Sequence, residues 1–208
     1  MKTIFLTSIA IIALGISACN NTPQNLAGET THQESDHAGH TGHAEHVAVN
    51  DSDLKAITPL FSDLSPEVSS SIKQIVDYYI NVSTALGNDD NKAAASGGMA
   101  LSEYINHVDK SAFNEEQRSL YVKCESALKE HATSIATSVN NIEVQRESFE
   151  KMSDDMYTLV KSFGAGRKLY KASCPMVAAT WLTEKNEIRN PYYGESMLTC
   201  GSIDELVM

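Results

Sequence analysis

The chain has 208 residues, 42% of them hydrophobic and 7% aromatic, which suits one domain with appendages. Lys and Arg number 16 against 27 Asp and Glu, a formal charge of −11. That acid surplus excludes the basic face by which a protein tracks nucleic acid or docks on anionic lipid. The charge is unevenly spread: residues 20–64 carry one base and seven acids, 65–163 nine and fifteen, and 164–208 five and five. Three regions follow, an anchor and tether, a solvated domain and a charge-balanced packed tail.

Residues 1–18 carry one early base, Lys2, then an apolar run from Ile4 to Ile16. The run is shorter than the roughly 20 residues that span a bilayer and fits the core of a secretory signal. Ile16-Ser17-Ala18-Cys19 resembles a bacterial lipobox. The resemblance implies cleavage before Cys19, a lipid on that cysteine, and a mature protein anchored to a membrane of the cell envelope and facing the periplasm. Cys124, Cys174 and Cys200 then sit in a compartment where disulfides persist.

Residues 19–64 have few large apolar side chains and are expected to be a flexible tether. Within them His37, His40, His43 and His46 recur at every third position. In an extended polyproline-type chain that period places them on one side, about 9 Å apart. Gly39 and Gly42 allow the chain to fold around an ion instead, and imidazole suits Cu(II), Zn or Ni. The tether is therefore expected to gather metal weakly and without fixed geometry, the alternative being a solvated low-complexity spacer.

Residues 65–163 read as four helices. Ser65-Pro66-Glu67 opens the first, which keeps its apolar positions from Val68 to Leu86 in steps of three and four and stops at Gly87-Asn88. Asp89 or Asp90 caps the second, which passes through Gly97-Gly98, a pair that signals close helix packing or local weakness. Asn114 and Gln117 have capping-box spacing ahead of a stripe running Leu120, Cys124, Ala127, Leu128, His131, Ile135 and Val139. The fourth stripe runs from Gln145 through Met152 and Met156 to Phe163 and ends at Gly164. Short connections make neighbours antiparallel, so the expected fold is all-α: an up-down four-helix bundle with an irregular or short-strand tail, residues 164–208, packed on it. Cys124, His131, Met152 and Met156 lie on core stripes and read as packing.

The tail concentrates sulfur. An extended backbone around Pro175 would turn Cys174 and Met176 the same way, and one helical turn would align Met197 with Cys200. Asn190-Pro191 and Gly194 allow the chain to reverse between the two pairs. Two thiolates and two thioethers form a soft ligand set that selects Cu(I). The competing reading is a Cys174–Cys200 disulfide stapling the tail, with Met176 and Met197 as packing. Trp181 reads either as an anchor plugging the tail onto the helices or as an aromatic lid over a bound cation.

Cys174-Pro175-Met176, Trp181-Leu182, the run Glu187 to Gly194 and Met197-Leu198-Thr199-Cys200-Gly201 together resemble an uncharacterised bacterial periplasmic lipoprotein family, domain of unknown function 3347. Gly87-Asn88-Asp89-Asp90 and Gln145-Arg146-Glu147-Ser148-Phe149 extend the resemblance over about residues 68–203. Similar domains occur fused to copper/silver efflux adaptors, so the resemblance implies soft-metal handling and metal-efflux pump components as partners. No H-E-x-x-H, Walker loop, C-x-x-C or G-x-S-x-G is present, so an enzyme is not expected. The expected function is a membrane-tethered Cu(I) buffer or chaperone. The alternative is a helical interaction module stapled by the disulfide.

Overall fold

The structure, a computed structural model, describes residues 49–208. Four helices follow in order: α1 (Pro66–Gly87), α2 (Asn91–His107), α3 (Glu115–Thr137) and α4 (Ile142–Phe163). Each start has a chemical cause. Ser65, Asp90, Asn114 and Asn141 accept backbone N–H groups of the first turns they precede, with Pro66 pre-set at the first position of α1. Asn114 and Gln117 form the reciprocal capping box that their spacing predicts. Gly164, at φ 73°, ends α4 in a conformation that side chains resist.

Consecutive helices pack on one another, and α1 also packs on α4. The stripes of α1 and α4 are buried as their periodicity predicts, from Val68 to Leu86 and from Gln145 to Phe163. On α3 the buried face is rotated from the expected one. Tyr121 and Ala132 are central to it, Leu120 and His131 lie at its margin, and the helix ends before Val139. Gly97 and Gly98 resolve as close-packing positions. A Cβ on Gly97 would meet the Val82 side chain at 2.8 Å, and one on Gly98 would meet the Ala132 carbonyl oxygen at 2.7 Å.

The all-α expectation is corrected by a mixed sheet of four strands: β1 (Lys55–Ile57), β2 (Leu169–Cys174), β3 (Ala179–Thr183) and β4 (Ser202–Val207), in the order β1-β4-β2-β3. β2 pairs antiparallel with both β3 and β4, and β1 runs parallel to β4. A bulge at Lys171/Ala172 leaves Asp204 without a partner, which lets Ile203 and Leu206 both turn inward. β3 packs on α1 and α4.

The strand β1 comes from a segment expected to be tether. Two features recruit it. The edge of β4 offers unpaired backbone groups, and the end of α4 offers orphan carbonyls. Leu60 and Phe61 donate their N–H groups to the carbonyls of Lys161 and Ser162 at 3.0 and 2.9 Å, and the Phe61 ring packs on Phe163. Ahead of β1, Asp51 accepts from Lys168 at 2.6 Å and from the Tyr170 hydroxyl at 2.9 Å. These hydrogen bonds, Lys168 first and Tyr170 second, hold its carboxyl below the usual carboxylate range. No helix among the described residues is long and apolar enough to cross a membrane.

Helix propensity alone favours Gly98→Ala by about 1 kcal/mol. The carbonyl of Ala132 is backbone and cannot step aside, so the substitution is expected to lower unfolding free energy by about 1–3 kcal/mol. Gly97→Ala, whose one close approach is to a side chain, should cost less. Urea denaturation of both variants checks the order.

Candidate functional site

Cys174 is the last residue of the central strand β2, and its inward position is dictated by the alternation of Tyr170, Ala172 and Cys174. It is 1% exposed. Pro175 does not continue the strand. Pro175 to Ala178 form a tight turn, with Ala178 at φ 53°, and Ala179 pairs back onto Cys174. The extended conformation expected around Pro175 is therefore corrected. Pro175 cannot donate to a ladder and serves as a turn starter, so Met176 emerges into solvent at 60% exposure while Cys174 is buried.

Cys200 reaches the same place from the other side. Met197 closes a 3-10 helix (Gly194–Met197), and the Cys200 N–H donates to the Met197 carbonyl at 3.0 Å, a turn of the kind on which their alignment depends. Met197 is 39% exposed and Cys200 half-buried. Beyond them, Ser202 pairs with Ser173, their hydroxyls 3.2 Å apart. Gly201, at φ 150°, brings the chain onto β2 so closely that a Cβ there would lie 2.6 Å from the Ser173 carbonyl oxygen. The Cys174 and Cys200 thiols thereby adjoin. Burial, and then the neighbouring Cys174 thiol, push the Cys200 thiol above its ordinary range. Both are free thiols, as is Cys124.

The loop carrying Cys200 is organised by one buried side chain. Asn190 donates from Nδ2 to the Cys200 carbonyl at 2.8 Å and accepts at Oδ1 from the Tyr192 N–H at 2.8 Å. Its backbone N–H donates to the Leu198 carbonyl at 2.7 Å, and its carbonyl accepts from the Gly194 N–H at 3.1 Å. Asn190 thus ties both ends of the loop together. Arg146 of α4 then fastens this loop to the helices. Its Nε donates to the Pro191 carbonyl at 3.0 Å and its Nη2 to the Leu86 carbonyl at 3.1 Å, with an ion pair to Asp89. Asp89, at φ 56° between α1 and α2, accepts the Glu195 N–H at 2.9 Å. That hydrogen bond and then Arg146 hold its carboxyl below the usual range. Arg189 adds a bond to Asn88 Oδ1 at 2.6 Å.

Trp181 is buried, edge-on to Tyr192 at 5.9 Å, and lies over Gly201. Cys124 sits apart on α3, its thiol pushed up by burial. His131, nearby on the same helix, lies 3.5 Å from Asp155. Cys19, His37, His40, His43 and His46 lie outside the described residues. Among the described residues no group of three or more His, Cys, Asp and Glu side chains is arranged to hold a metal.

In the sequence Asn190 reads only as a chain-reversing residue beside Pro191 and Arg146 only as part of a motif, since neither pattern shows the long-range bonds that organise the site. The signal available was the co-occurrence of Asn190-Pro191, Arg146 and Asp89 in the quoted motifs. Asn190→Ala leaves the Cys200 carbonyl and the Tyr192 N–H without partners. It is expected to cost about 2–6 kcal/mol of stability, at about 1–3 kcal/mol per buried group, and to speed alkylation of Cys200. Denaturation and timed iodoacetamide labelling read the two effects.

No curated protein and no solved structure matches the chain. Residues 75–168, from within α1 to the residue before β2, match a family described as "Protein of unknown function (DUF3347)", so this chain is similar to that family across its helices while both adjoining thiols lie beyond the match.

Proposed function

We propose that the protein is an envelope lipoprotein that binds a soft metal, a Cu(I) buffer or chaperone serving metal efflux or resistance. In this reading Cys19 carries the lipid, the four helices are an antiparallel up-down bundle, and the metal is cargo. One observation carries it: Cys174 and Cys200 adjoin at the open end of β2, with Met176 and Met197 on exposed turns beside them in the chain.

The donor set discriminates between ions. Zinc takes four nitrogen, oxygen or thiolate ligands, and hard cations take six or more oxygens. Neither requirement is met by two thiols and two thioethers. Cu(I) accepts thiolate and thioether at low coordination number. Because Met176 and Met197 are exposed, a partner's sulfur can approach the ion as theirs depart, which suits transfer to an efflux component. Trp181 borders the site as a wall. The histidines of the tether would raise the local metal concentration, taking Cu(II), Zn or Ni weakly.

The reduced mature protein is expected to take up one Cu(I) in competition with a chromophoric chelator. Cys174→Ser or Cys200→Ser should abolish tight uptake. Met176→Leu with Met197→Leu should weaken it, and deletion of residues 32–46 should remove only weak sites. Each metal displaces two thiol protons, so apparent affinity should fall about a hundredfold per pH unit of acidification. No uptake by fully reduced protein would sink the reading. The adjoining thiols also favour a second reading, a helical interaction module stapled by a Cys174–Cys200 disulfide. A quantitative bridge in protein from cells, inert to mild reductant, would select it.

A further inference from the structure

The two thiols adjoin but do not share the same access to solvent. Cys174 is enclosed at the end of the central strand, 1% exposed, while Cys200 is half-buried on a loop. The third described thiol, Cys124, is buried on α3 and adjoins neither. Thiol–disulfide exchange proceeds by attack of one accessible sulfur on a disulfide, followed by attack of a second sulfur on the mixed disulfide. The first step needs room for an incoming group, and the second needs only a neighbour. The structure meets these needs separately.

We infer that the pair is a disulfide-exchange site, with Cys200 as the attacking residue, Cys174 as the resolving residue, and small-molecule or protein disulfides as its substrates. Each protein thiol gives up its proton to solvent before it attacks, and the Cys200 thiolate first attacks one sulfur of R–S–S–R. A Cys200–S–R bond forms, the R–S–S–R bond breaks, and R–S⁻ leaves and takes up a proton. The Cys174 thiolate then attacks the Cys200 sulfur, releasing the second R–S⁻, which is protonated in turn. The net change oxidises two protein thiols by two electrons to one disulfide and reduces the substrate disulfide to two thiols. The reverse sequence, run by a dithiol reductant, restores the pair.

The loop supports the second step. The Cys200 carbonyl is held by Asn190 and its N–H by the Met197 carbonyl, so the backbone stays beside β2 while the side chain exchanges partners. Oxidation consumes both thiolates, so the disulfide and a metal held by the pair exclude each other. That consequence, unlike the exchange itself, rests on the metal reading above.

The probe is glutathione disulfide, added to the reduced, metal-free mature protein and followed by intact mass and peptide mapping after acid quench. The wild type should lose two hydrogens at Cys174 and Cys200, with Cys124 unchanged. Cys174→Ser should stop at one glutathione on Cys200. Cys200→Ser should take up glutathione at Cys174 about tenfold more slowly or not at all, since attack depends on access. In the wild type, limiting iodoacetamide should modify Cys200 before Cys174, a measurement that needs no variant. Equal labelling of the two cysteines, or a wild type that halts at the mixed disulfide, overturns the assignment. Cu(I) competition on the reduced and oxidised forms separates the two readings. Exchange without Cu(I) uptake by the reduced form refutes the metal site and leaves the exchange site standing, whereas uptake without exchange does the reverse.

Discussion

The arrangement depends on how the buried edge of β3 is satisfied. β3 packs on α1 and α4, and its backbone groups that face away from β2 would be orphaned there. Two tyrosines meet them. The Leu182 N–H donates to the Tyr79 hydroxyl at 3.1 Å, and the Thr180 carbonyl accepts from the Tyr192 hydroxyl at 2.6 Å. Thr180 and Leu182 have the same parity along the strand, so both bonds lie on one edge. Leaving either group unpaired in the interior would cost about 1–3 kcal/mol. Burial also pushes both hydroxyls well above the ordinary tyrosine range, so they stay neutral over any working pH.

These tyrosines come from different parts of the chain, and that gives them their architectural effect. Tyr79 belongs to α1, stacks on Phe149 of α4 at 5.1 Å and bonds to Ser153 of α4 at 2.8 Å. Tyr192 belongs to the loop beyond β3 and touches both Phe149 and Trp181. One edge of the sheet is thereby joined to two helices and to the loop that carries Cys200. Arg146 reinforces the junction from α4 by holding the Pro191 carbonyl one residue before Tyr192. The helical layer thus acts on the thiol pair through hydrogen bonds to backbone, without contributing a ligand.

The parts legible in the sequence are those set by local chemistry. Ser65-Pro66, Asp90, the Asn114/Gln117 box and Gly164 bound the helices where short-range capping rules place them. What escaped is non-local. β1 is three residues long in a polar segment and exists only because β4, some 150 residues away, presents its edge. The α3 face is rotated because Tyr121 carries more buried area than Leu120, a choice that periodicity alone does not make. At Cys174-Pro175-Met176 the i, i+2 relation of strands does not hold, because the strand ends at Cys174 and the chain turns at Pro175 instead of extending.

The thiol pair sits where a rigid element meets an adjustable one, a difference that the proposed exchange chemistry would use. Cys174 is fixed by its pairing with Ala179 of β3, at the end of a strand that β4 also pairs as far as Ser173. Cys200 is outside any strand and is held by one side-chain bond to its carbonyl and one turn bond to its N–H. A ligand pair fixed on both sides would bind tightly and release slowly, because every exchange would strain two strands. A pair loose on both sides would not hold its geometry. With one sulfur anchored and the other on a tethered loop, the metal or mixed disulfide of the proposed readings would enter from solvent at Cys200, be completed by Cys174, and leave by the same route. The charge-balanced tail fits this role, since the acid surplus on the helices and tether keeps the domain solvated without placing a hard ligand at the sulfur site.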